Sequence, residues 1–208
     1  VEAGRSPNIN IITNTDLLAV DGEVGRFAVR LQQRPRYVDP VICTACGVCS
    51  DYCPVPVNDA YNEGLGTTKA LHIDYQQAIP AAFHIDEGAC LFLTRQECKQ
   101  CERVCQAKAI DFTQKPQELE LEVGAVILAP GFGRIDRRVL AKYGYGIFPD
   151  IITGMELERL TSASGPTQGE IVRPSDGNHP ERLAFIQCIG SRDTSCGNGY
   201  CSTVCCMY

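Results

Sequence analysis

One run of residues constrains this chain more than any other: Cys43-x2-Cys46-x2-Cys49-x3-Cys53-Pro54. Three thiolates at that spacing converge inside one tight loop, and the turn at Pro54 aims the fourth elsewhere. This is the pattern that grips three irons of one [4Fe–4S] cubane and lends its last sulfur to another. A second run, Cys90-x7-Cys98-x2-Cys101-x3-Cys105, keeps the spacing of its last three cysteines, and Gln106 stands where proline is usual. It has five extra residues after its first cysteine. The likeness extends upstream, because Tyr37-Val38-Asp39-Pro40-Val41-Ile42-Cys43 aligns with His84-Ile85-Asp86-Glu87-Gly88-Ala89-Cys90 at a shift of 47 positions. Duplication of this kind predicts a pseudo-twofold module. Crossed ligation gives Cys43, Cys46, Cys49 and Cys105 to one cluster and Cys90, Cys98, Cys101 and Cys53 to the other. Ile42, Val48, Val104 and Ile110 are expected to pack around the cubanes, where burial tunes potential.

Other uses of the thiols fit less well. The thirteen cysteines are an odd number in a chain of 208 residues, and VEAGRSPNIN has neither the charged start nor the apolar centre of an export signal. Both points disfavour a disulfide framework and favour reduced thiols in the cytoplasm. Zinc sites need only two Cys-x2-Cys pairs, so the third and fourth cysteines of each run would be superfluous. A zinc-stabilised structural protein is therefore the weaker alternative. A formal charge of −6 provides no basic stripe for nucleic acid, and no apolar run is long enough for a membrane span.

Around the cysteine-rich stretch the pattern is that of an α/β protein. Residues 8–34 read as strand, turn, strand: Asn8–Ile12 and Phe27–Leu31 alternate, with Asp21-Gly22 and Gly25 turning the chain. Gly64-Leu65-Gly66 marks a turn between the two cysteine runs. Beyond Pro116, Leu119–Val123 alternates, with the acidic positions of 118–122 forming a solvated face. Ala125–Ala129 reads as a buried strand entering the turn Pro130-Gly131. Thr153-Gly154-Met155-Glu156 has capping-box spacing, and Gly165-Pro166 is placed to stop the helix it begins. Leu183–Cys188 reads as a further strand. The flanking strands are expected to belong together, so that residues 36–116 form an α+β two-cluster ferredoxin module inserted between 1–35 and 117–208. His72, His84 and His179 show no ligand spacing.

The last cysteines, Cys188, Cys196, Cys201, Cys205 and Cys206, do not follow ferredoxin spacing. By residue type alone they read as a metal or redox site, or as buried thiols. The chain as a whole resembles the A-subunit family of heterodisulfide reductases, flavin and iron–sulfur proteins of methanogens and other anaerobes. The resemblance is carried by Arg36-Tyr37-Val38-Asp39, the first cysteine run, Asn62-Glu63-Gly64-Leu65-Gly66-Thr67 and Glu122-Val123-Gly124-Ala125. Ile171–Gly177, Phe185–Asp193 and Tyr200–Tyr208 extend it. It implies a thioredoxin-reductase-like FAD domain, partial here, with the ferredoxin module inserted, and it implies that the chain is a fragment of a longer polypeptide. It further implies a third [4Fe–4S] cluster on Cys188, Cys201, Cys205 and Cys206, with Cys196 as an extra. Gln187-Cys188-Ile189-Gly190-Ser191 lacks the dinucleotide-binding glycine pattern, and the resemblance implies that a cluster replaces a nicotinamide as electron partner there. Ala129-Pro130-Gly131 resembles the family's turn beside FAD, with Pro130 in place of threonine, and Thr15-Asp16 resembles a turn contacting the adenine. An oxidoreductase subunit is implied, passing electrons between FAD and clusters. In the family FAD can split electron pairs, the disulfide site lies in a partner subunit, and a dehydrogenase or hydrogenase supplies electrons. A flavin-free ferredoxin-type module is the alternative.

Overall fold

A computed structural model describes residues 2–131, 133–201 and 203, and the chain is a mixed α/β protein that divides into two compact units, Val1–Leu128 and Ala129–Tyr208. In the first unit, strands β1 (Thr15–Glu23) and β2 (Arg26–Gln33) form a hairpin. Gly22 and Gly25 turn it with φ of 116° and 91°, values that side chains with a Cβ rarely adopt. There follow helix α1 (Val48–Asp51), strands β3 (Pro56–Asn58), β4 (Thr67–Lys69), β5 (Leu71–His72) and β6 (His84–Ile85), and helices α2 (Leu91–Arg95) and α3 (Gln100–Val104). Strand β7 (Gln117–Val123) then returns to pair antiparallel with β2, Phe27 opposite Val123 and Gln33 opposite Gln117. The 83 residues between β2 and β7 thus leave and rejoin one three-stranded sheet, ordered β1-β2-β7. Glu118, Glu120 and Glu122 face solvent, as the alternation predicts.

Those intervening residues have their own core. Val38, Leu71, Phe83, Ile85, Ala109 and Ile110 are buried together with Tyr37 and Cys49, and Val104 packs against them. The sequence repeat is also a structural repeat. Asp39 Oδ1 accepts the Val41 and Ile42 N–H groups, and Asp86 Oδ1 accepts those of Gly88 and Ala89. The backbone carbonyls of the same two aspartates accept the N–H groups of Cys43 and Cys90, at 3.0 and 2.9 Å. Each half therefore enters its cysteine loop through the same Asp-initiated turn, a local hydrogen-bonding habit of this side chain.

In the second unit, helices α4 (Arg137–Ala141) and α5 (Gly154–Thr161) are capped as their sequences dictate. Asp136 accepts the Arg138 N–H at 2.8 Å, and Thr153 with Glu156 completes the capping box. Helix α5 ends at Ser162, before Gly165 is reached.

Several expectations need correction. Asn8–Ile12 is not a strand; the first strand begins at Thr15, so Thr15 and Asp16 lie on β1, paired with Gln33 and Gln32, rather than in a turn. Ala125–Ala129 and Leu183–Cys188 are not strands either. Ile127 is 92% exposed and Phe185 71%. An apolar run signals surface that favours burial, but a strand forms only where a neighbour receives its N–H and C=O groups. Among the described residues neither run has such a neighbour. Ile42 and Val48 are exposed, while Val104 and Ile110 do join the core.

Candidate iron–sulfur centres

The first cysteine loop opens on Cys43, whose sulfur accepts the Ala45 N–H at 3.4 Å. Ala45 and Gly47 are both left-handed, with φ of 54° and 85°. They fold the loop back so that Cys49, on α1, is buried. The second loop repeats this device: Cys98 and Lys99 take φ of 84° and 98° just before α3, which bears Cys101. Lys99 has no glycine's freedom, and a non-glycine residue held there is strained. Its ammonium lies 4.4 Å from the centre of the Phe92 ring and 3.5 Å from Glu102.

The five extra residues after Cys90 do not loosen this half, because they are taken up by α2. Cys90 is its N-cap, Thr94 Oγ1 donates to the Cys90 carbonyl at 2.8 Å, and Gln96 closes the helix in the left-handed region. Cys90 is thereby returned to the site. Cys53, Cys90, Cys98 and Cys101 all line one small cavity of about 20 Å³, walled by Val55, Leu71, Ile85, Phe92 and Phe112. No carboxylate or imidazole lines it. The donor set is all sulfur in apolar surroundings, the setting of soft metal and iron–sulfur ligation.

The two thiols most raised by burial feel cysteines of both halves. Burial pushes the Cys49 thiol up to about 11, helped by the neighbouring Cys43, Cys105 and Cys46. Burial pushes Cys101 up to about 12, with Cys90, Cys53 and Cys49 adding to it against one backbone hydrogen bond. Cys105 thus acts on Cys49 of the first half, while Cys53 and Cys49 both act on Cys101 of the second. The Cys105 sulfur accepts the Ala109 N–H at 3.3 Å, a contact of the kind that tunes a bound cluster. All eleven described cysteines are free thiols.

These shifts predict a pH dependence for the metal-free chain. With thiol pKa values raised on folding, the native state binds more protons than the unfolded one, so stability falls as pH rises from about 9 toward 11. Loading metal removes the same protons. Denaturant titrations between pH 8 and 10.5 should show the alkaline loss in the metal-free protein and a much flatter profile in the loaded one. Equal slopes would contradict this assignment.

The C-terminal cysteines are partly described. Cys188 has φ of 63°. Arg192 donates its N–H to the Tyr200 carbonyl and Asp193 its own to Asn198, at 3.1 and 2.8 Å. These bonds close the loop 192–200, with Cys188 before it in the chain and Cys201 directly after it. Cys196 sits apart in the loop, its thiol donating to Asp193 Oδ2 at 3.4 Å. Cys205 and Cys206 lie outside the described residues.

The residues expected to contact the flavin come from both compact units of the chain. Asp16 is ion-paired with Arg34 at 3.1 Å, and Thr15 Oγ1 donates to the Thr13 carbonyl. Thr15 and Asp16 belong to the first unit, Ala129, Pro130 and Gly131 to the second. A Cβ at Gly131 would meet nothing within 4 Å.

The histidines hold a feature that spacing concealed. His72 and His84 face each other across β5 and β6, and Asp74 joins them. The signals in the sequence were the His72-x-Asp74 alternation and the strand beginning at His84, but their pairing register was not readable there.

No protein-family profile matches the chain. Curated relatives match it throughout. An iron–sulfur A-subunit of the CoB–CoM heterodisulfide reductase of Methanopyrus kandleri, the second of its kind in that organism, is 50% identical over 208 residues, all of this chain and 31% of the relative. The A-subunit of the H2:CoB-CoM heterodisulfide,ferredoxin reductase of Methanothermobacter thermautotrophicus is 44% identical over the same coverage.

Over its whole length the chain matches a segment of the A-subunits of heterodisulfide reductases.

A third relative, the A-subunit of the ferredoxin/F420H2-dependent CoB-CoM heterodisulfide reductase of Methanosarcina acetivorans, is 41% identical over 99% of the chain and 26% of its own length. The chain spans about a third of the length of the heterodisulfide reductase A-subunits it matches. Among the described residues no helix is long and apolar enough to cross a membrane.

Proposed function

We propose that this chain is the cluster-bearing part of an oxidoreductase subunit that passes electrons between FAD and [4Fe–4S] clusters in a heterodisulfide reductase-like complex. The observation that carries the reading is the cavity shared by Cys53, Cys90, Cys98 and Cys101, three thiols from the second half of the repeat and one from the first. With the companion set Cys43, Cys46, Cys49 and Cys105, it makes residues 36–116 a two-cluster ferredoxin-like module. Bound cubanes supply one-electron transfer, and the protein supplies position, burial and hydrogen bonds to sulfur. Cys188, Cys201, Cys205 and Cys206 are assigned to a third cluster. FAD is assigned to the full-length protein, with Thr15, Asp16 and the Ala129-Pro130-Gly131 turn as its contacts from this chain. Residues 1–35 then belong to the thioredoxin-reductase-like flavin domain, and residues 117–208 return to it and begin a second α/β lobe that carries the non-ferredoxin cluster motif. Partners are the other subunits of the complex, including the one that holds the disulfide site, and an electron-donating dehydrogenase or hydrogenase.

The test is chemical analysis of the full-length protein and of this chain after anaerobic reconstitution. Three cubanes give this chain about twelve irons and as many acid-labile sulfides. About eight would remove the third cluster, and zinc without sulfide would overturn the assignment. Because Asp16 is already paired with Arg34, a flavin-free module is the reading to exclude. Full-length protein purified anaerobically without bound flavin would establish it instead.

A further inference from the structure

Outside the cysteine loops, His72, Asp74 and His84 place one imidazole nitrogen each and a carboxylate oxygen within 4.8 Å of one another. The arrangement is built by the fold, since His72 and His84 are direct partners in the antiparallel β5–β6 pair and their rings meet edge to face at 4.2 Å. His72 is oriented by its Nδ1, which donates to the Lys69 carbonyl at 2.7 Å. That leaves Nε2 as the second donor atom, 3.5 Å from Asp74 Oδ1. Fixing one ring nitrogen on a backbone carbonyl is how metal-binding histidines are held.

We propose that His72, Asp74 and His84 bind one divalent first-row metal ion of the zinc class, at a site separate from the thiol clusters.

The donors decide the class of metal. Two imidazoles and one carboxylate suit zinc and its neighbours, whereas calcium and magnesium need shells dominated by oxygen. Charge argues the same way. Arg36 lies close enough to act on Asp74 and His84, its guanidinium tied to Thr13 Oγ1 at 2.9 Å and to the Ala82 carbonyl. A hard cation held by charge alone would gain little beside it. Donors around a tetrahedral zinc stand about 3.4 Å apart, so three donors within 4.8 Å of one another need only small side-chain adjustments to share one ion.

Imidazole binds metal only when neutral, so the metal would take the place of the proton between His72 and Asp74.

The experiment uses cluster-loaded protein under anaerobic conditions, dialysed against zinc chloride and analysed for zinc and iron together. One zinc per chain is expected with iron content unchanged, more firmly bound at pH 8 than at pH 6. X-ray absorption at the zinc edge should show nitrogen and oxygen at about 2.0–2.1 Å and no sulfur near 2.3 Å. His84→Ala and Asp74→Asn should each weaken uptake by about tenfold or more with iron retained. Asp74 is exposed, so its variant decides the matter should His84→Ala lose iron. Sulfur in the zinc shell, uptake unchanged in Asp74→Asn, or no uptake by the parent would each overturn the site.

Discussion

Serine in place of Cys105 should empty the cluster held by the first half of the repeat and spare the one held by its own half. Cys105 follows α3 in the second half, yet it is one of the groups that raise the Cys49 thiol, alongside Cys43 and Cys46. Cys53 shows the reciprocal arrangement, lining the cavity of Cys90, Cys98 and Cys101. Losing one of four thiolates leaves an iron without its protein ligand, and the cubane becomes labile to loss or conversion. In the chain truncated after residue 124, to isolate these two clusters, iron should fall from about eight to about four in Cys105→Ser and likewise in Cys53→Ser. The spectra then separate them. The cluster left in Cys105→Ser should be insensitive to a further Cys46→Ser change and destroyed by Cys98→Ser. The opposite pattern would show that each half feeds its own cluster and would undo the crossed assignment. Whether the truncated chain folds is read from the parent truncation's own eight irons. Should that parent fail to load, the same variants are made in the full 208-residue chain, expecting a loss of about four irons from its total.

Leu71→Ala should cost about 2–5 kcal/mol in the cluster-loaded protein, the range for removing a fully buried leucine side chain. Leu71 is 2% exposed and does three things at once. It pairs with Ile85 in the β5–β6 ladder, packs in the core with Val38 and Phe83, and forms part of the wall of the second cysteine cavity. With a cluster bound in the cavity that Leu71 lines, the vacated space would have a rigid neighbour on one side, so little relaxation would be available. Guanidinium unfolding under anaerobic conditions should show a lower midpoint at unchanged slope. Leu17→Ala is the control: Leu17 is 51% exposed on β1, and its loss should stay within about 0.5 kcal/mol. Similar losses for both would mean that the β5–β6 pair does not support the core as described.

Some of this molecule is local chemistry and was therefore legible. Cysteine spacing sets which sulfurs a single loop can gather, and the Asp39 and Asp86 turns form from groups within four residues of each other. The Thr153 capping box is the same kind of feature. The alternation of residues 119–123 and of Phe27–Leu31 identified two strands, though only the sheet shows that they pair and in what register.

What the sequence determined by itself is thus a set of short-range facts: two thiol loops, their duplication, a capped helix and the residue runs by which the chain resembles its relatives. Tertiary structure decided the rest, because it depends on groups distant in the chain coming within a few ångströms. The five extra residues after Cys90 fold as α2 and bring that thiol to the Cys53 cavity. Strand register sets His72 against His84 across twelve residues of chain. Ala125–Ala129 and Leu183–Cys188 show the converse. Their apolar character is a property of the residues, but being a strand is a property of a pair, and composition cannot provide the second member.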